Sequence, residues 1–527
     1  MAASSFTERF ISRRNCIKLM GGFALAAGTA MVLPGCNSNN QSGQPTEGSD
    51  SDAAEQKDSL RIGITGKSTD VLDMAAADGS TLLPFAVCLN VFDSLMLMKD
   101  DEFVNQLAEE VTSNEDATQW TIRIREGATF HNGNPVTADD VLYSLQHVAN
   151  SPNGMMGYMY VDWENSSTDG DRTVTLAMMQ PHATFVEEAL GEISPIFPNG
   201  SSDEDFNTDI GSGPYKLVSF SADTGAVLEA YEDYWDGAPS IKTVEFVPMA
   251  EAATRTTALT GGQIDFANQI SATDAASIEG NEGFEVFAPG VGHSSAYKFC
   301  LNATKPPFDD PEVRKAFKAI VDRESMVETI TRGQGEVGND VMGKGLSGYN
   351  ESLPQREYDL DAAVKVFQDK GITSLDVLTS EMISGIKDSV DMLAQQMEKA
   401  GVTLNVTEVD PANLFTDMNA IYNTQVFATY LLNRPYVTTA AIYTGGGSPY
   451  NFSQWNDEEY NALLAEGMAT GDESARADAY SKSQERLWEE GAEVVWGYAY
   501  ELYGHIAGLD GVTISHSVPL LSKATLS

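Results

Sequence analysis

A chain of 527 residues with 32 Lys and Arg against 77 Asp and Glu carries a formal net charge of −45 at pH 7. Such an acidic surface repels nucleic acid and anionic lipid and argues against either as a partner. The chain is also too long for one hydrophobic core, so two or more lobes are expected.

In chain order, the first feature is "SRRNCIKLMGGFALAAGTAMVLPGC", Ser12 to Cys36. The apolar run Leu19 to Leu33 has fifteen residues, short of the roughly 18 that a spanning helix needs. A basic start, a short apolar run and small residues before a cut site make an export signal. Arg13 and Arg14 resemble a twin-arginine pair, while Cys16 stands where a bulky apolar residue is usual, so twin-arginine and general secretory export both stay open. "VLPGC" resembles a bacterial lipobox that would make Cys36 the lipidated first residue of the mature chain. Residues 37–59 contain no aromatic residue and no Val, Ile, Leu or Met. They read as a flexible tether with a reach on the order of 25 Å. Cys88 and Cys300 are the cysteines left over, and they could pair in an oxidising compartment.

"LRIGIT" at Leu60 reads as a buried first strand. Trp120, Ile122 and Ile124 alternate with Thr121, Arg123 and Arg125, the period of a strand with one buried face. Asn132-Gly133-Asn134-Pro135 marks a turn, Thr137 with Asp140 predicts a capped helix start, and Val141, Leu142, Leu145 and Val148 predict its stripe. Asp310 before Pro311, and then Asp322, predict two further caps. After Pro354 a helix near 361–368, a strand "SLDVLTS", a helix striped by Val390, Leu393, Ala394 and Met397, and a strand "VTLNVT" imply a mostly parallel, covered sheet. Ser474 to Glu490 reads as a late helix.

Signals for catalysis are scarce. Six histidines show no HExxH, HxH or close pair, no nucleophile elbow or phosphate loop is found, and "TGGGSPY" lacks the Lys-Ser/Thr ending of a phosphate cradle. No enzyme, resident metal or cofactor is expected.

The stretch "WTIRIREGATFHNGNPVTADDVLYSL" closely resembles the signature region of the extracytoplasmic solute-binding proteins of ABC importers, in the family that binds peptides and nickel complexes. Further matches follow in the family's order: "GSGPYKL", "YEDYWDGAPSIKTVEFVPM", "TTALTGGQIDFA", "YKFCLNATKPPFDDPEVRKAFKAIVDRESMV" and "QWNDEEYNALLAEG". The resemblance implies a two-lobed α/β fold of the periplasmic-binding-protein kind, type II with an extra inserted subdomain, and a ligand cleft between lobes. The division it implies is an export signal with lipobox at 1–36, the tether at 37–59, and the first lobe at 60–93, 195–290 and 491–527. The inserted subdomain takes 94–194 and the second lobe 291–490. Crossings between lobes are expected near 289–294 and 490–494.

The implied function is a lipid-anchored, monomeric receptor that captures a peptide-like ligand and delivers it to the permease of an ABC importer. A metal chelate, a haem-like molecule or an oligosaccharide is the alternative cargo, and a surface sensor or hydrolase the alternative use of the scaffold. In peptide-binding relatives an acid pairs with the ligand's α-ammonium group, and an arginine takes its carboxylate. By resemblance Asn433 stands in the acid's place with Arg434 beside it, and Ser380 and Glu381 stand in the arginine's. The dipeptide clamp is therefore expected to be absent. Tyr430, Tyr436 and Met382 are expected to form an apolar wall, with His293 at the lobe crossing.

Overall fold

The computed structural model describes residues 58–527 apart from 74–76, 78–80, 100, 151–155, 192, 203–204 and 449. The expected signal pair Arg13 and Arg14, the lipobox Cys36 and nearly all of the tether lie outside the described residues. Among the described residues no helix is long and apolar enough to cross a membrane.

The strand Ser59–Ile64 lies inside a seven-stranded sheet, parallel to Thr243–Pro248 on one side and to Phe266–Ile270 on the other. Being covered on both faces explains its nearly continuous apolar sequence. Phe284–Phe287 and Leu502–Ile506 extend the sheet beyond Phe266–Ile270, and Gly225–Ala230 and Tyr215–Ser221 complete the opposite edge. Leu60, Ile62, Val244, Phe246, Phe266 and Tyr503 share its core.

The inserted subdomain is an antiparallel sheet in the order Ala108–Ser113, Gln119–Ile124, Thr173–Met178, Val161–Thr168, covered by the helix Ala138–Asn150. Trp120, Ile122 and Ile124 are buried while Arg123 faces solvent, as their alternation implies. The helix start is a reciprocal cap. Thr137 N and Oγ1 donate to Asp140 Oδ2 at 2.8 and 2.6 Å, and Asp140 N reaches back to Thr137 Oγ1 at 3.4 Å.

A six-stranded sheet carries the second lobe, in the order Gly335–Val337, Glu493–Tyr500, Ser294–Leu301, Val426–Leu432, Ser374–Thr379, Thr403–Glu408. The caps are made as the sequence implies: Asp310 accepts from Glu312 N at 2.9 Å ahead of Pro311, and Asp322 accepts from Ser325 N at 3.1 Å. Two expectations change here. Only the strands around Ser374–Thr379 are parallel, and the other three pairings are antiparallel, so the sheet is mixed. The expected boundary at 490/491 also moves, because Glu493–Tyr500 pairs with Ser294–Leu301 inside this sheet and the chain leaves only at Glu501. Both changes share one cause. The strand entering from the first lobe runs away from the junction and the strand returning runs toward it, so as neighbours they are antiparallel and both belong to the second lobe.

Cys88 lies buried in the helix Leu83–Val91 of the first lobe and Cys300 buried in Ser294–Leu301 of the second. Their places in separate cores rule out the bridge that the sequence left open, and both thiols are free.

Candidate functional site: the junction between the lobes

Strand direction locates the cleft. In the first lobe the parallel strands end at Ile64, Pro248 and Ile270, and the chain departs after Phe287 and returns at Leu502, which pairs with Ile270. In the second, Ser295 pairs with Leu432 and Ser294 with Tyr500, so the crossings adjoin the carboxyl end of Val426–Leu432. Each sheet therefore turns the carboxyl ends of its parallel strands toward the other lobe. In open α/β sheets that edge is where ligands bind, because strand-end loops and helix N-termini leave polar backbone groups there.

Two side chains decide to which lobe each linking segment is bound. Asn433 N donates to Ser294 O at 2.9 Å, Asn433 Nδ2 donates to Val291 O and Lys344 O at 2.9 Å each, and its Oδ1 accepts from Gly343 N at 3.0 Å. Residues 291–294 are thereby bound to the second lobe. Glu501 is bound to the first, since its Oε1 accepts from Ser517 Oγ at 2.6 Å and Gln269 Nε2 at 3.3 Å, and its Oε2 from Tyr503 Oη at 2.6 Å. Tyr500, one residue earlier, donates from its hydroxyl to Glu336 of the second lobe at 2.8 Å. The links between the lobes are thus 288–290, where Gly290 sits at φ 121° in a region that suits glycine, and the bond between Tyr500 and Glu501.

His293 stands between these links, buried, with its carbonyl accepting from Glu501 N at 3.0 Å and Nε2 3.8 Å from Asp101 Oδ1. Burial lowers its pKa, opposed by Glu501 and Asp101 and reinforced by His516. The neutral imidazole is therefore the favoured form. Asp101 sits in the turn between Met96–Lys99 and Glu102–Asn105 and rests against the crossing. A Cβ at Gly292 would lie 1.8 Å from its Oδ1, so any larger residue there would have to displace the Asp101 carboxylate.

The other expected site residues divide. Tyr430, Asn433, Arg434, Ser380 and Glu381 lie at the carboxyl ends of adjacent parallel strands. Glu381 spends both oxygens on the start of the helix Ile386–Lys399, accepting from Gly385 N at 2.9 Å and Lys387 N at 2.7 Å. Ser380 is buried, and its hydroxyl has no hydrogen-bond partner. Tyr430 is half-buried opposite Tyr297, and burial pushes its pKa up to about 12. Met382 and Tyr436 are packed among the buried residues of the second lobe, and the Tyr436 hydroxyl is 2.7 Å from Ser483 Oγ. Apolar side chains next to a sheet end are drawn under the covering helices. The sequence reading missed Glu501, whose charge interrupting the apolar run "VVWGYAYELYG" was the available signal, and it missed His516. Among the described residues no group of three His, Cys, Asp or Glu side chains is placed to hold a metal ion.

Residues 102–462 match the family model described as bacterial extracellular solute-binding proteins, family 5. The glutathione-binding protein GsiB of Shigella dysenteriae serotype 1 is 23% identical over 434 residues, 78% of this chain and 84% of the relative. Among solved structures, the ABC transporter substrate-binding protein CtaP of Listeria monocytogenes superposes with a TM-score of 0.79 at 22% identity, covering 90% of this chain and 100% of that one. DppA of Helicobacter pylori, solved in complex with the peptide STSA, superposes with a TM-score of 0.67 at 19% identity, covering 89% and 98%.

Proposed function

The chain belongs to the bacterial extracellular solute-binding proteins of family 5, and on that premise we propose that it captures a peptide-like solute between its lobes and delivers it to the permease of an ABC importer. Members of this family are transport receptors rather than enzymes. The observation that carries the reading is the pair of links between the lobes, 288–290 and Tyr500–Glu501, which we take as its pivots, beside two facing rows of carboxyl strand ends. A bound solute that touches both rows favours the closed arrangement by its extra contacts there, and the closed form is what a permease can distinguish from the open one. A peptide-like cargo is supported by the names of relatives, glutathione-binding and peptide-bound. Mass spectrometry of material co-purifying with the exported protein tests it. Short peptides or peptide conjugates are expected, and a metal chelate, haem-like molecule or oligosaccharide in their place would overturn the peptide reading.

Recognition of the solute's amine should differ from that of a dipeptide receptor. Asn433 carries no charge and its amide is occupied by Val291, Lys344 and Gly343, while both Glu381 oxygens cap a helix. A buried ammonium without a carboxylate costs several kcal/mol. Acetylating the amine of a bound peptide is therefore expected to change Kd by less than about tenfold, or roughly 1.4 kcal/mol. Calorimetric titration of matched free and acetylated peptides measures it, and a much larger loss would mean that another acid clamps the amine.

Anchoring through a lipid on Cys36 completes the reading, with the acidic body held off the bilayer by the tether. Fatty-acid labelling is expected to mark the protein and to vanish in Cys36→Ala. Label retained by that variant would show that Cys36 is not the anchor.

A further inference from the structure

Besides the contact of Asp101 with the crossing, the inserted subdomain and the second lobe meet a second time. Ala183 N donates to Met468 O at 2.9 Å, Gly471 N donates to Glu115 O at 3.3 Å, and Thr438 Oγ1 donates to Glu187 O at 3.1 Å. The second-lobe partners come from the short helix Tyr436–Thr439, the end of Glu458–Met468 and the turn before Glu473–Glu490. Those of the subdomain flank or belong to the wide helical turn Val186–Leu190 and the loop after Ala108–Ser113. The fit at Gly471 is tight, since a Cβ there would lie 2.5 Å from Glu115 O. Among the described residues no apolar core spans the boundary: the buried cluster of the subdomain and that of the second lobe share no residue. A contact built from a few backbone-directed hydrogen bonds, with no common core, can separate without unfolding either side.

We propose that this contact is a latch, a detachable second joint that holds the lobes together when no solute is bound and so sets how much of the receptor is open to receive one. It goes beyond the transport reading and does not depend on which solute binds. A receptor that spends most of its time latched binds more weakly by the fraction of time it is open, and a receptor that never latches closes less firmly on its solute.

The latch also encloses an acid. Glu188 is buried, with Oε1 accepting from Thr184 Oγ1 at 2.6 Å and Oε2 3.5 Å from His182 Nε2. The groups facing it within the subdomain are His182, Tyr160 stacked on that imidazole at 4.5 Å, and Glu187. From the second lobe come Tyr480, which both acids influence, and Arg476, which faces Glu187. Burial pushes Glu188 up to about 7 and His182 down to about 4, so neither helps the other as an ion pair near neutrality. Opening takes Tyr480 away, and Glu188 is expected to return toward its ordinary range as its burial lessens. Closing therefore takes up a proton, and the latched form is favoured below about pH 7 and loses ground as pH rises through that value.

The test uses the full ligand-free protein. Small-angle scattering reports the radius of gyration, and hydrogen exchange reports the Ala183 amide, which is protected across the latch. Gly471→Val places side-chain atoms against Glu115, and Thr438→Val removes one donor with little change of shape. Both are expected to enlarge the radius and to speed exchange at Ala183, Gly471→Val by about tenfold or more. The wild type is expected to expand between pH 6 and pH 8, and Glu188→Gln to flatten that response. If Thr438→Val and a folded Gly471→Val both match the wild type in radius and in Ala183 exchange, the contact is not a latch. A wild-type radius that does not change with pH would remove the proton from the mechanism.

Discussion

Asp340→Asn is expected to destabilise the second lobe by about 3–5 kcal/mol, the cost of removing one partner from a buried ion pair. The carboxylate is fully enclosed, with Arg323 Nη2 2.5 Å from Oδ1 and Arg356 Nε 2.9 Å from Oδ2. Burial alone would raise its pKa, but Arg323, Lys318 and Arg356 together hold it below the usual carboxylate range. One anion thus serves three cations. Lys318, also buried, donates to Trp488 O at 2.9 Å, and burial pushes its pKa down to about 7 against the pull of Asp340. Asparagine keeps the shape and tolerates the left-handed backbone at this position, φ 66°, so the substitution isolates the charge. The measurement is a urea midpoint followed by a probe in the second lobe. A depressed carboxylate contributes stability at pH values above its unfolded pKa and loses it as pH falls through the folded one. The gap between wild type and variant should therefore narrow below the ordinary carboxylate range. A loss under 1 kcal/mol at pH 7 would show that the guanidiniums find other partners.

Such clusters mark the boundary of what sequence reading reached. The caps at Thr137, Asp310 and Asp322 were legible because donor and acceptor lie two or three residues apart and the chemistry is local. Alternation at Trp120–Ile124 was legible because a half-buried strand writes its period into the residues. The exit from the second lobe was not, because Glu493–Tyr500 and Leu502–Ile506 are both apolar and run together with no glycine–proline turn between them. Pairings distant along the chain were equally silent. Lys298 and Glu493 stand 2.6 Å apart in the second core, yet either alone reads as a surface charge. The ligand edge was read by analogy at Asn433 and Glu381. In the structure Asn433 is held by Val291, Lys344 and Gly343, all distant along the chain, and Glu381 by the nearby Gly385 and Lys387, and no spacing rule reveals either set of bonds.

Arg255→Met is expected to cost about 1–3 kcal/mol, because the three carbonyls it bonds are only partly buried and their losses are not fully additive. The guanidinium, on the helix Ala252–Thr260, donates from Nη1 to Met249 O at 2.7 Å and Ala250 O at 2.9 Å, and from Nη2 to Gln269 O at 2.6 Å. Burial lowers its pKa to about 10, so it remains charged at neutral pH. The first two carbonyls follow the strand Thr243–Pro248, and the third sits where Phe266–Ile270 slips register against Leu502–Ile506, with Gln269 at φ 49°. That slip takes the Gln269 carbonyl out of the ladder, and Arg255 is the group that satisfies it. Methionine keeps an unbranched apolar stem and removes the donors, so the loss measures the fork rather than the packing. Lysine should restore only part, because one ammonium does not reproduce the planar fork. The consequence reaches the pivot, since Gln269 Nε2 donates to Glu501 Oε1. Loosening the slip should free Glu501 from the first lobe and blur the hinge between Tyr500 and Glu501. Urea unfolding gives the stability change, and hydrogen exchange at Glu501, whose amide donates to His293 O, reports the pivot. Arg255→Met is expected to lower protection at Glu501 along with stability. A variant that loses stability while Glu501 stays as protected as in the wild type would confine Arg255 to the first lobe and detach it from the hinge.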